Sequence, residues 1–104
     1  MGCEYLYVCG SDGILKVFNR KSQRLIKNYG KVACTSMVFT NDRQYLFIGD
    51  SLGYLTQYST QQQKPIKKYG KLLENRCASM LITNDNKYLY LGGWNGSLIK
   101  IDIE

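Results

Sequence analysis

The chain has 104 residues, room for one domain at most, since globular domains commonly take about 100 to 200 residues. Its 44% hydrophobic, 21% charged and 12% aromatic composition excludes the disordered and fibrous classes. Fourteen basic against eight acidic residues leave a formal charge of +6, and no stretch reaches the roughly 18 to 20 consecutive apolar residues of a membrane helix.

From the N-terminus, Met1-Gly2-Cys3 shows no signal-peptide pattern, so a soluble, cytoplasmic chain is expected. Acylation of this start is not expected, because the myristoylation pattern wants Ser or Thr where Leu6 stands. Nine Tyr and ten Gly against one Pro favour strands joined by tight turns. Short periods between regular breakers predict strands at 5–9, 14–18, 24–28 and 33–39, then at 45–48, 54–58, 65–69 and 77–82, and last at 88–91 and 98–103. Asp12-Gly13, Leu52-Gly53 and Asn95-Gly96 read as hairpin turns in which glycine supplies a positive φ. Asn41-Asp42 and Asn84-Asp85 read as reversals built on the side chains' own hydrogen bonds. Cys3, Cys9, Cys34 and Cys77 form no CxxC pair and no histidine accompanies them, so no metal site is expected. They are expected to be reduced, with Cys34 and Cys77 buried at equivalent places.

The same blocks recur along the chain. Tyr5-Leu6-Tyr7-Val8 returns as Tyr45-Leu46-Phe47-Ile48 and as Tyr88-Leu89-Tyr90-Leu91, at intervals of 40 and 43 residues. Each block leads to a glycine and then a leucine, namely Gly13 and Leu15, Gly53 and Leu55, Gly96 and Leu98. Ile26-Lys27-Asn28-Tyr29-Gly30-Lys31 matches Ile66-Lys67-Lys68-Tyr69-Gly70-Lys71, and the segment from Cys34 to Asp42 matches that from Cys77 to Asp85. The three extra residues of the longer interval therefore fall in 72–76, as a surface loop tolerates. Four short strands in about 40 to 45 residues is the signature of a propeller blade.

On these residues the chain resembles the WD-repeat (Trp-Asp repeat) β-propellers, most closely over Thr35 to Leu55 and again over Ala78 to Leu98. It departs from them where the family's Gly-His pair is replaced by Tyr29-Gly30 and Tyr69-Gly70 and its Trp-Asp pair by Phe18-Asn19, Tyr58-Ser59 and Ile101-Asp102. The resemblance implies an all-β propeller segment of antiparallel blades, with strands in the order b-c-d, a-b-c-d, a-b-c from the axis outward. An incomplete blade is expected over about 1–31, a complete one over about 32–71 and an incomplete one over about 72–104. Because the smallest ring of four blades needs roughly 160 residues, closure calls for further blades of a longer protein, a homo-oligomer, or other chains.

A non-enzymatic scaffold for protein partners is the expected function, because the acidic residues fall at repeated turn positions and no nucleophile sits in a known elbow or dyad. No cofactor is expected. In the geometry that the resemblance implies, the b-c turns and d-a loops share one face. That face gathers Ser11-Asp12, Leu52, Leu72, Leu73, Arg76 and Trp94, with the leucines and the tryptophan at exposed positions. Trp and Arg are over-represented among interface hot spots. The alternative is a polyanion-binding module for nucleic acid, anionic lipid or an acidic protein, using the basic outer strands with Arg24 and Lys27 and with Lys64, Lys67 and Lys68. Lysines there also discourage pairing with another sheet. A third alternative is part of a propeller enzyme whose catalytic residues lie on other blades.

Overall fold

The computed structural model describes residues 5–10 and 12–103. The expectations for Met1-Gly2-Cys3 and for Ser11 lie outside those residues. Ten strands form: β1 (Tyr5–Cys9), β2 (Ile14–Asn19), β3 (Leu25–Lys31), β4 (Cys34–Phe39), β5 (Tyr45–Asp50), β6 (Tyr54–Ser59), β7 (Lys64–Lys71), β8 (Cys77–Ile82), β9 (Tyr88–Gly93) and β10 (Leu98–Asp102). There is no helix among the described residues, hence none long and apolar enough to cross a membrane.

The strands make three antiparallel sheets, β1-β2-β3, β4-β5-β6-β7 and β8-β9-β10. These are the blades of a β-propeller segment in the expected strand order, and no sheet closes on itself. The chain divides into two compact units, Met1–Cys34 and Thr35–Glu104.

The repeat is kept to the level of register. Tyr5 lies opposite Asn19, Tyr45 opposite Ser59 and Tyr88 opposite Asp102, so each hairpin aligns the same repeat positions. Gly13, Gly53 and Gly96 have φ of 75°, 93° and 88°, the left-handed conformation that glycine adopts at least cost.

Tyr29-Gly30 and Tyr69-Gly70 do not lead into the inner strand as the family's Gly-His pair does. They lie in the outer strands. Leu15 pairs with Gly30 but Lys16 with Asn28, and Leu55 pairs with Gly70 but Thr56 with Lys68. Tyr29 and Tyr69 are thus the extra residues of two equivalent β-bulges, each followed by a left-handed glycine with φ of 84° or 86°.

The two Asn-Asp reversals close alike. The Thr40 hydroxyl donates to Asp42 Oδ1 at 2.5 Å and the Gln44 N–H donates to the same oxygen at 3.0 Å. Thr83 and Lys87 serve Asp85 at 2.6 and 3.0 Å. Those bonds, from Thr40 and Thr83 foremost, hold both carboxyls below the ordinary aspartate range.

Within Thr35–Glu104 the core lies between the second and third sheets. Phe47 and Leu55 meet Leu73, Cys77, Leu89 and Leu91, with Met80, Ile99 and Ile101 packed against them. Asn41 fastens the two sheets at one end, its Nδ2 donating to the Asn84 carbonyl at 2.6 Å and its own N–H donating to Asn86 Oδ1 at 3.0 Å.

The cysteines correct one expectation. Cys77 is buried and free, and burial pushes its thiol pKa up. Cys34 is buried but bonded to Cys9, not reduced as expected. The repeat gives the reason. Cys9 stands at the position of Gly49, where a Cβ would fall 2.6 Å from Cys77 Sγ. What is a close glycine–cysteine approach in one repeat becomes a pair of cysteines, Cα atoms 6.5 Å apart, in the preceding one.

Candidate functional site

The face expected to carry the partner surface is built, within Thr35–Glu104, from two tight turns and the loop between β7 and β8. In the β5–β6 turn, Asp50 Oδ1 accepts the N–H groups of Leu52 at 2.9 Å and Tyr54 at 2.8 Å. This fixes the backbone under Leu52 and leaves its side chain 62% exposed. The Gly53 carbonyl in turn accepts the N–H groups of Leu72 and Leu73 at 3.0 and 3.2 Å. A Cβ at Gly53 would overlap the Leu73 and Asn75 carbonyls, so glycine is required there twice over.

The β9–β10 turn is held similarly. Asn95 Oδ1 accepts the Ser97 N–H at 3.1 Å and the Ser97 hydroxyl at 2.6 Å, while the Gly96 N–H donates to the Gly93 carbonyl at 3.0 Å. The Trp94 N–H donates to the Arg76 carbonyl at 3.0 Å. The Arg76 guanidinium lies 5.6 Å from the Trp94 ring centroid, within range of a cation–π attraction. Trp94 is 70% exposed.

One loop therefore ties both turns together, through Leu72 and Leu73 on one side and Arg76 on the other. The expectation that Leu72 and Leu73 are exposed is overturned. Leu73 is buried in the core with a Cδ atom against the Gly93 position, and Leu72 is half-buried against the same core. The physical reason is that the insertion places an apolar pair over the open end of the inter-sheet core, where burial is worth about 1.5 to 3 kcal/mol for a leucine. Leu52, Arg76 and Trp94 remain as the displayed side chains.

The basic residues lie elsewhere. Lys64, Lys67 and Lys68 are exposed along β7, the outer strand of its sheet. Lys67 Nζ sits 4.6 Å from the centroid of Tyr69, whose own ring packs at 6.1 Å from Phe47 and whose hydroxyl donates to Gln57 Oε1 at 3.1 Å. Tyr69 is thus a lid on the core edge, and Lys67 covers that lid. In the first unit, Arg24 is exposed just before β3, and Lys27 lies 4.6 Å over Tyr29 in the equivalent arrangement.

No family model and no curated protein matches the chain. Among solved structures, hydrazine synthase of Kuenenia stuttgartiensis superposes with a TM-score of 0.81 at 16% identity, over 95% of this chain and 29% of that one. The chain thus spans less than a third of that protein's length, and at this identity the likeness is one of fold. With 341 matching chains, the arrangement is a common one and singles out no activity.

Proposed function

We propose that the chain is a segment of a larger WD-repeat-like propeller that works as a non-enzymatic scaffold, holding a protein partner through Leu52, Arg76 and Trp94. The observation that carries this reading is Trp94, which stands 70% exposed beside the Arg76 guanidinium on a turn whose backbone is fixed by its own hydrogen bonds. A large aromatic held in place loses little entropy on binding, and hot spots are enriched in Trp and Arg. The WD-repeat part of this reading rests on the sequence resemblance over Thr35 to Leu55 and Ala78 to Leu98; the strand order supports a propeller segment. Hydrazine synthase carries an enzyme's name, but that name says nothing of catalysis by this chain. A cytoplasmic setting is retained from the sparse, irregular cysteine spacing; the Cys9–Cys34 bond weighs against it.

The test is capture from cells. Trp94→Ala is expected to weaken recovery of the co-purifying partner at least tenfold, because about 1.4 kcal/mol already suffices, and to leave the melting temperature unchanged. A lowered melting temperature with undiminished capture assigns Trp94 to packing and refutes the reading. The exposure of Lys64, Lys67 and Lys68 favours a second reading, polyanion binding. Binding to RNA or anionic vesicles that falls steeply with salt, and that is lost when these lysines are replaced, identifies it.

A further inference from the structure

The two repeats anchor the same loop by different means. In the second, the Gly53 carbonyl accepts the N–H groups of Leu72 and Leu73, and the Leu73 side chain pins the loop in the core. In the first, the Gly13 carbonyl accepts the N–H groups of Val32 and Ala33 at 2.9 and 3.0 Å, so the backbone is held alike. Ala33 takes the place of Leu73, however, and offers a methyl group where the anchor should be. It also has a φ of 53°, a left-handed conformation that a residue with a Cβ adopts at a cost. The next residue is Cys34, bonded to Cys9 at a sequence separation of 25, and the whole ring lies within Met1–Cys34. The bond holds in the first repeat what Leu73 holds in the second.

The strand arrangement itself does without such a bond. At the equivalent places Gly49 and Cys77 pack directly, with Cys77 buried and free. A covalent link that the neighbouring repeat lacks is therefore an addition to the fold, made at a poorly anchored loop. In a reducing compartment such disulfides are transient, and where they occur they sense or catalyse.

We infer that Cys9–Cys34 is a reversible redox site, opened and closed by glutathione-class thiols, whose state sets how firmly the Val32–Ala33 loop is held. One thiolate attacks one sulfur of the pair. A mixed disulfide forms and the Cys9–Cys34 bond breaks, releasing the other cysteine, which takes up a proton. A second thiolate attacks the mixed disulfide, frees the remaining cysteine to take up its own proton, and leaves in glutathione disulfide. The two cysteines have gained two electrons, and two glutathiones have been oxidised to one disulfide. Excess glutathione disulfide runs the exchange backwards. Cys77 takes no part, because its burial leaves little of the thiolate that exchange requires. The site belongs to the cytoplasmic setting of the proposed function and rests on it.

The folded chain, incubated in mixtures of reduced and oxidised glutathione and then alkylated, tests this by peptide mass. Residues 9 and 34 should be linked in oxidised glutathione and free in a large excess of the reduced form. The opened protein should keep its far-UV β spectrum, yet be cut by trypsin after the exposed Lys31 at least about tenfold faster, which needs a shift of only about 1.4 kcal/mol in loop opening. Cys9→Ser should be cut at that faster rate with or without reductant. Should Cys9→Ser lose its β spectrum, Cys9→Gly replaces it, carrying the residue of the second repeat. A bond that stays closed in reduced glutathione, a pair that stays open in oxidised glutathione, a reduced chain that unfolds, or equal cutting at Lys31 in both states would each overturn the inference. Trp94 lies outside the ring, so partner capture fails or survives independently of these results. Cell fractionation reads the compartment by itself, and a chain recovered from an oxidising compartment refutes the setting even where the exchange is seen in solution.

Discussion

Replacing Leu73 by alanine sets packing against binding at the one loop that joins the two displayed turns. Leu73 is 3% exposed, packs with Phe47, Leu55, Leu89 and Leu91, and has a Cδ atom 3.4 Å from where a Gly93 Cβ would stand. Removing three carbons there exposes or voids the end of the core, and buried Leu→Ala changes cost about 2 to 5 kcal/mol. For a domain of this size, each 1 kcal/mol moves the midpoint by roughly 4 to 8 °C, so Leu73→Ala is expected to melt at least about 8 °C below the parent. Leu52→Ala, at a position 62% exposed, should stay within about 0.5 kcal/mol of the parent. Thermal unfolding followed by circular dichroism measures both. If Leu73→Ala melts with the parent and only its partner capture falls, the assignment of Leu73 to the core is wrong and it returns to the binding face.

The glycines of the turns should separate under substitution. Gly96→Ala meets nothing within 4 Å and should cost about 1 to 2 kcal/mol, from its left-handed φ alone, whereas Gly53→Ala adds a collision with the loop backbone and should cost clearly more in urea unfolding. Asp42 and Asp85 have folded-state pKa values below their unfolded ones. Their contribution is therefore fully present above the ordinary aspartate pKa of about 3.9 and is lost as pH falls through the folded value. Asp42→Asn with Asp85→Asn should flatten the acid limb of the stability profile, and an unchanged limb would remove these turns from the account. Alkylation followed by intact mass should label Cys77 only after denaturation and Cys9 and Cys34 only after reduction; labelling of Cys34 in unreduced, denatured protein would show the bond to be absent.

Most of the strand positions were legible because the spacing of Gly13, Gly53 and Gly96 and of the two Asn-Asp reversals leaves little freedom in where a strand can lie. The outer strands were placed as well, at 24–28 and 65–69, but not their ends, which run on to Lys31 and Lys71. Tyr29-Gly30 and Tyr69-Gly70 match a family landmark in position, yet they sit in bulges, and a bulge has no periodicity of its own for a sequence to display. Leu73 was misjudged for a different reason. Exposure was inferred from its place in a loop, whereas the loop folds its leucines over the core and leaves only Arg76 beside Trp94. The proximity of Cys9 to Cys34 could have been found. Aligning the first two repeats sets Cys9 against Gly49 and Cys34 against Cys77, and a glycine on a strand facing an inner-strand cysteine signals close approach of two backbones.

The doubly bulged outer strand has a bearing on how the chain behaves when it is stressed. Along β7 the pairing with β6 slips twice, between Leu55 and Thr56 and between Gln57 and Tyr58, and Pro65 removes one donor from the strand. An incoming strand would find no uninterrupted row of donors and acceptors, and would have to approach Lys64, Lys67 and Lys68. Growth of a cross-β fibril needs the reverse, a flat, low-charge edge with a constant 4.7–4.8 Å repeat. Concentrated or heated protein should accordingly precipitate without enhancing thioflavin fluorescence, well before it forms amyloid.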